Sequence, residues 1–349
     1  MNFDFSEDIE TMRGEVRRTL SDKFPRGEVR GAVDAGKRFD RDFWSLIGDM
    51  GWLGVAIPEE FGGSGMGYEP LCMIAEEVGA ALPTVPFMST IMAAEAIHRC
   101  GNAEQRATWL RRLVSGAVIG CVAFAGEANA ANGTLAGTKL PCTDGDIADI
   151  AVVEAAGALW LVELDQPAVT RVALDGLDLV RAATRLGFDG ARGERLEAAD
   201  IDVLRDRLAI LVAFEQVGGS RAALDMAVGY AQERYAFGRP IASFQAIKHK
   251  CADIYVALEL ARSNAYFGTW ALDHEADLPI AASAARLAGT AAYSLAAKEN
   301  IQIHGGMGFT WEADCHLHYR RARALAVELG PERIWRDRLI DHLDQAEAA

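Results

Sequence analysis

The sequence predicts a mainly α-helical protein that carries a small β-domain in its middle. From Ser6 to about Ser115 apolar residues recur at helical spacing, as in Ile9, Met12, Val16 and Leu20. Between about Val118 and Asp200 the pattern changes to short runs of Val, Ile, Leu and Ala bounded by Gly, Asn, Asp and Pro. From Leu204 onward long helical patterns return, joined by short loops, which argues for an antiparallel bundle. The expected organisation is an N-terminal helical domain over 1–117, a middle β-domain over 118–202, and a four-helix bundle over 203–349.

In the first region further helical faces are marked by Phe43, Leu46, Ile47 and Met50, then by Leu71, Ile74 and Val78. The stretch IPEEFGGSGMG, Ile57 to Gly67, interrupts them, because Pro58 and four glycines forbid a continuing helix and demand positive backbone angles. The runs AVIGCVAF, DIAVVEAA, ALWLVEL and VTRVALDG predict four to six strands. A long helix then runs to a stop at Gly238-Arg239-Pro240. A second starts from an N-cap at Ser243 and reaches about His274, and a third opens at Pro279 and ends at Gly305-Gly306. Two shorter helices follow. Trp44, Trp52 and Trp109 read as packing residues.

Half of the 349 residues are hydrophobic, enough for a large core. The net charge is -15 and basic residues are scattered among acids, so no phosphate-tracking face for nucleic acid is expected. Six cysteines lie far apart with no C-x-x-C pair, which reads as reduced, packed thiols and a cytoplasmic setting. The N-terminus is acidic and no uncharged apolar run approaches a membrane span. Cys315, His316 and His318 beside Asp314 do not converge on one helix face, so no metal site is expected.

Two stretches carry chemistry. ERYAFGRPIASFQ, Glu233 to Gln245, joins two helices and offers a guanidinium (Arg234), an aromatic face (Phe237) and Gln245 in the first turn of the next helix, a set suited to a phosphate attached to a flat ring. IQIHGGMGF, Ile301 to Phe309, has three glycines in four positions and admits the close approach of a pyrophosphate or another backbone. His304 beside them reads as a helix-end contact to backbone or phosphate.

These stretches, in this order and with GWLGVAIPEEFGGSGMG upstream, resemble the acyl-CoA dehydrogenase family over nearly the whole chain. The resemblance implies FAD as cofactor and an acyl-CoA thioester as substrate. A proton leaves the α-carbon and a hydride the β-carbon, giving a trans-2-enoyl-CoA, and electrons pass to an electron-transfer flavoprotein. It also implies that Arg234, Phe237, Gln245, Gln302, Gly305 and Gly306 contact the adenosine and pyrophosphate of the FAD held by a neighbouring subunit.

The sequence departs from the family at two places. The family's base is the glutamate of Tyr-Glu-Gly-Thr, a fixed distance after Tyr-Arg-Asp-Ala. Here that start is Tyr319-Arg320-Arg321-Ala322, and the register sets Leu329 on the glutamate. Glu328 lies one position earlier, rotated by about 100° on a helix. Asp273 and Glu275 stand near the position from which a minority of the family takes its base. The second departure is AFAGEANAANGTLAGTKLPC, Ala123 to Cys142, where the family begins its flavin cradle. Glu127 can stand on the family's glutamate, but Gly126 and Ala128 replace its threonine and proline. Too few residues precede Gly137-Thr138-Lys139 for an intervening strand pair, and Leu140-Pro141-Cys142 brings no hydroxyl to the ring.

The resemblance therefore implies a chain that keeps the half-site it lends and has lost the half it would use. Such a chain suits a heteromer whose second acyl-CoA dehydrogenase chain brings the flavin cradle and base, as in two-chain bacterial members acting on bulky thioesters such as sterol side chains. The alternatives are a self-sufficient homo-oligomer using Asp273, Glu275 or Glu328, and a non-redox binding or scaffold protein on the same fold.

Overall fold

The computed structural model describes residues 6–197, 200–272 and 277–348. The first helices are α1 (Glu7–Lys23), α2 (Arg26–Asp34), α3 (Arg41–Asp49), α4 (Tyr68–Ala81), α5 (Phe87–Cys100) and α6 (Ala103–Val114). Strands β1 (Gly120–Ala123), β2 (Gly126–Ala131), β3 (Thr134–Thr143), β4 (Ile150–Ala155), β5 (Ala158–Glu163), β6 (Val169–Leu174), β7 (Ala183–Arg192) and β8 (Glu194–Arg195) follow. Then come α7 (Ile201–Glu233), the short strands β9 (Tyr235–Ala236) and β10 (Arg239–Pro240), α8 (Gln245–Ala271), α9 (Leu278–His304), α10 (Cys315–Leu325) and α11 (Glu332–Ala348). The chain forms two compact units interleaved in sequence. One comprises Met1–Gly31, Cys72–Pro83 and Asp206–Ala349, and the other Ala32–Leu71 and Thr84–Arg205.

The first unit is all helical. Its central contact is the crossing of α4 and α7, where no side chain separates the backbones. A Cβ added at Gly218 would lie 1.8 Å from the Glu76 carbonyl oxygen, and one added at Gly79 would lie 2.2 Å from that of Glu215. On α7 the next residue, Gly219, makes room for the Tyr293 ring of α9, 2.3 Å from where its Cβ would be. Beside this crossing two buried carboxylates, Glu76 and Glu77, meet guanidinium groups from three other helices. Arg13 lies 2.9 Å from Glu76, and Arg17 and Arg221 each lie 2.8 Å from Glu77. Arg262 of α8 approaches Glu76 at 3.7 Å. Burial opposes ionisation of Glu77, but the hydrogen bonds and charges of Arg17 and Arg221 outweigh it and hold the carboxyl below its usual range. Packed around α9 are α8, α10 and α11, completing the bundle. No helix among the described residues is long and apolar enough to cross a membrane.

The second unit joins α3, α5 and α6 to two four-stranded sheets, ordered β1-β4-β5-β8 and β2-β3-β7-β6. Among the described residues only the β1–β4 pair is parallel. Eight strands among the described residues stand where four to six were expected. The runs read as strands are β1, β4, β5 and β6, whereas β2, β3, β7 and β8 were not legible. In β3 the buried Leu135, Lys139 and Cys142 are irregularly spaced, in β7 the buried Thr184, Leu186 and Phe188 alternate but are set among Arg185, Gly187, Asp189 and Gly190, and β2 has no buried residue. In the Ile57–Gly67 turn Gly62, Gly65 and Gly67 have φ of 87°, 61° and 87°. Gly63 has a different reason to be glycine, since a Cβ there would sit 1.9 Å from the Ile57 carbonyl. Trp44, Trp52 and Trp109 are buried, and Trp44 Nε1 donates to the Gly116 carbonyl at 2.8 Å. The six cysteines are free thiols, five of them buried.

Two outcomes follow for the first unit. Gly218→Ala should destabilise it by about 3 kcal/mol, because α4 and α7 must part to admit a methyl group. Gly229→Ala, on the same helix with open space around it, should be neutral or stabilising by up to about 1 kcal/mol. Chemical denaturation of both variants measures this. The lowered Glu77 gives a stabilisation that is complete above its unfolded value of 4.5 and is lost as pH falls through the folded value. Glu77→Gln should therefore lower stability at neutral pH and flatten its fall on acidification, read from denaturation midpoints between about pH 6 and pH 3.

Candidate functional site

Helix α7 ends at Glu233, and the chain reverses in a two-residue hairpin with Ala236 facing Arg239 and Tyr235 facing Pro240. The loop residues Phe237 and Gly238 have φ of 54° and 78°. A right-twisted hairpin needs positive φ at both positions, but a phenylalanine there is strained. Phe237 is 94% exposed, and its ring meets Phe244 edge to face at 6.2 Å while Arg239 lies over Phe244 at 4.3 Å. Arg234 and Gln245 are also exposed. Gln245 is the first residue of α8, and the residue before the helix is Phe244, not Ser243. Ser243 lies in a 3₁₀ turn over Ile241–Ser243, with its hydroxyl donating to the Pro240 carbonyl at 2.7 Å.

The glycine stretch begins where α9 stops. Gly305 has φ 61° and ψ -136°, a conformation open essentially to glycine alone. A Cβ at Gly306 would enter open space, while one at Gly308 would lie 2.4 Å from the Ile301 carbonyl. Gln302 and Gly306 are exposed. His304 makes the expected backbone contact, with Nδ1 2.8 Å from the Asn300 carbonyl oxygen, and its ring stacks on Tyr230 at 4.1 Å. Ala227, Ala231 and Ile303 form a small core against which Tyr230, Ile241 and Ile247 pack. The hairpin and the glycine stretch are thus seated on one apolar cluster. Sequence reading did not identify Tyr230 or Ile303 as its seat, because aromatic and aliphatic residues on long helices carry no local mark of which loop they support.

The expected base region differs from a helix. Helix α10 ends at Leu325, so Glu328 and Leu329 lie in the turn beyond it, and the helical rotation argument does not apply to them. Leu329 has φ 59°, and both residues are partly buried. Arg286 of α9, 1% exposed, donates through Nη2 to the backbone carbonyls of Leu325 and Glu328, the latter at 2.8 Å. Its Nη1 donates to Gln216 Oε1 at 3.0 Å and to the Thr290 hydroxyl. Burial lowers the Arg286 pKa to about 10, with the charges of Glu328 and Glu215 opposing the shift. The buried pair Arg321–Glu215, at 2.8 Å, is formed by α10 and α7. Asp273 and Glu275 lie outside the described residues. A charged residue inside an apolar helical run, as Arg286 and Glu215 are, was the available signal for this network.

His318 Nδ1 lies 2.9 Å from the Tyr293 hydroxyl, whereas His316 stacks on Trp311 at 4.8 Å. The two histidines address different partners.

In the β-unit, β2 and β3 form a hairpin across Asn132-Gly133, both with positive φ. No strand pair intervenes before Gly137-Thr138-Lys139. A Cβ at Gly126 would lie 2.6 Å from the Thr138 carbonyl, and one at Gly137 would lie 2.5 Å from that of Glu127. Buried Lys139 donates to the carbonyls of Phe124 and Gly126 at 3.1 and 3.0 Å, and burial lowers its pKa. Glu127 is exposed.

The acyl-CoA dehydrogenase N-terminal domain matches residues 6–117 and the C-terminal domain matches 206–343. An acyl-CoA dehydrogenase of Mycolicibacterium smegmatis, IpdE2, is 33% identical over 94% of this chain and 96% of its own. The chain belongs to the acyl-CoA dehydrogenase family. A mycobacterial member of the family, FadE34 of Mycobacterium tuberculosis, is 31% identical over 93% of this chain but only 46% of its own length. Among solved acyl-CoA dehydrogenases, the Tcur3481-Tcur3483 steroid ACAD G363A variant contains a chain superposing with a TM-score of 0.91 at 28% identity, covering 98% of this chain and 99% of that one. The ChsE4-ChsE5 complex of Mycobacterium tuberculosis contains another, with a TM-score of 0.91 at 27% identity and 99% coverage of both chains.

Arg286→Met should destabilise the helical unit by about 3 kcal/mol, since it leaves the Glu328 carbonyl and Gln216 Oε1 without their guanidinium donor and takes one of two donors from the Leu325 carbonyl and the Thr290 hydroxyl. Denaturant unfolding followed by tryptophan fluorescence measures the loss.

Proposed function

We propose that this chain is the subunit of a heteromeric acyl-CoA dehydrogenase that completes the FAD site of a partner chain, and that the partner carries the base. The observation that carries this reading is the contrast between the chain's two half-sites. Arg234, Phe237, Gln245, Gln302 and Gly306 are exposed on segments fixed from beneath, as groups lent to a molecule outside the chain must be. They fit an adenosine and pyrophosphate: a guanidinium for the phosphates, an aromatic ring, amide side chains and an open glycine backbone. The cis half does not fit. At the family's cradle position the β2–β3 backbones are in contact at Gly126 and Gly137, and the Lys139 ammonium occupies the carbonyls of Phe124 and Gly126. No carboxylate stands at position 329.

In this reading Arg234 would pair with the pyrophosphate, Phe237 would cover the adenosine, and the glycines would let the chain approach. FAD, when bound, accepts the hydride from the β-carbon of the thioester. This chain's residues hold the cofactor and exclude water, and the α-proton goes to the partner's carboxylate. Two similar proteins of known structure are described as a two-chain complex or by a two-part name, which supports a heteromer. The steroid named for one of them supports a bulky thioester as substrate. The electron acceptor in this reading is an electron-transfer flavoprotein.

Expressed with its partner, the chain should give one FAD per two chains, and alone it should be flavin-poor. A homogeneous preparation of this chain by itself with one FAD per chain overturns the proposal and favours the homo-oligomer, while absence of FAD with every dehydrogenase-like partner favours the non-redox reading. Arg234→Ala should weaken FAD retention in the complex roughly ten- to a hundredfold. Glu328→Gln, Asp273→Asn and Glu275→Gln should each keep turnover within a few-fold, whereas loss of a true base costs roughly 100-fold or more. Steady-state dehydrogenation with an artificial acceptor, with flavin content measured in each variant, separates lost chemistry from lost cofactor.

A further inference from the structure

We propose that the cavity lined by α1, α2, α4, α7 and α10 is a binding site for an amphipathic monocarboxylate, with an apolar body inside and its anionic head at Arg26. The cavity measures about 400 Å³, within the range of about 300–1,000 Å³ common for small-molecule sites. It lies wholly in the helical unit and includes none of the residues assigned to FAD.

The void has a cause in the sequence. Glycine contact at the α4–α7 crossing fixes the spacing of those helices, and the lining residues just beyond it are Ala80, Ala81 and Ala222, too small to fill the space they face. Larger lining residues, Leu20, Phe24, Leu82 and Met226, are buried and give the cavity apolar walls. Such walls favour a hydrocarbon body over water.

The charges select the head. Glu77, one lining acid, already accepts from Arg13, Arg17 and Arg221. Asp314, another, is paired with Arg30 at 2.5 Å. That leaves Asp225, exposed at the rim, facing solvent without a described cation. Against it stand Arg26, exposed and with no acidic partner among the described residues, and the half-exposed Arg17, whose carboxylate is shared with two other guanidinium groups. Of the arginines lining the cavity, Arg26 is the one whose guanidinium is not spent on an acidic partner among the described residues. A carboxylate is the head that Arg26 can bind through a charge-assisted fork.

The test is calorimetric titration of the full chain with decanoate, decanol and decylammonium. Decanoate should bind saturably at one site and roughly tenfold more tightly than decanol. Arg26→Ala should weaken decanoate by roughly tenfold and leave decanol unchanged, while Arg333→Ala, an exposed arginine on α11, changes neither. Asp225→Asn should hold or strengthen decanoate binding. Ala222→Leu should abolish binding of both, with unliganded melting showing that the fold persists. Absence of saturable decanoate binding overturns the proposal, as does equal binding of decanol with no effect of Arg26→Ala, or tighter binding of decylammonium. Flavin content is a separate readout, so failure here leaves the FAD assignment standing, and the reverse also holds.

Discussion

The helical unit depends on one close approach, the crossing of α4 and α7 at Gly79 and Gly218. With no side chain between the helices, each backbone becomes the other's packing surface. The position of every neighbouring group follows from that distance. Glu76 and Glu77 are carried on α4 at the crossing and become buried with it, so their charges need partners that come from elsewhere in the unit. Arginines of α1, α7 and α8 supply them. Breaking one member of such a cluster leaves a buried charge unbalanced, which costs far more than a surface pair is worth. The arrangement therefore selects one register of α1 and α8 against the pair, where apolar packing alone would tolerate several.

That rigidity reaches the proposed cofactor surface through α7. The helix is 33 residues long, anchored at the crossing in its middle and ending one residue before Arg234. Loops that carry binding groups are useful only when a scaffold fixes them. Here the strained Phe237 turn is held by Phe244 and Arg239, and both loop segments rest on Ile303 and its neighbours. The strain at Phe237 is consistent with a group kept in a fixed, outward position for something outside the chain. A ring free to fold back would instead cover apolar surface of its own.

Much of this was legible in the sequence, for a physical reason in each case. Long helices show as periodic apolar faces, and glycine and proline mark their ends, so α7, α9 and the Ile57–Gly67 turn were readable from local pattern. The four missed strands were not, because β2 has no buried face, the buried residues of β3 are irregularly spaced, the alternation in β7 is carried by a threonine, a leucine and a phenylalanine among glycines and charged residues, and β8 is two residues long. Ser243 has the chemistry of an N-cap but spends its hydroxyl on the Pro240 carbonyl, one turn too early. The exposed residues of the candidate site were found through short motifs, whereas Tyr230, Arg286 and Glu215 act through partners distant in sequence.

In the proposed reading, leucine at position 329 goes together with the surroundings of the Glu328–Leu329 turn and is not an isolated substitution. The family motif has an aspartate where this chain has Arg321, and that arginine is buried against Glu215. A second buried cation, Arg286, holds the backbone of the turn itself. Its lowered pKa of about 10 still leaves it charged at neutral pH. A carboxylate placed beside that cation would be stabilised in its ionised form and its pKa driven down. A general base works best with a pKa near the pH at which it operates, so this environment opposes the very function the glutamate has in the family. Leu329, uncharged and held in the left-handed region, is compatible with a turn whose Leu325 and Glu328 carbonyls accept from Arg286. In the proposed reading the cationic network and the absence of a base from this turn are two parts of one packing solution, in which the turn serves to close the bundle.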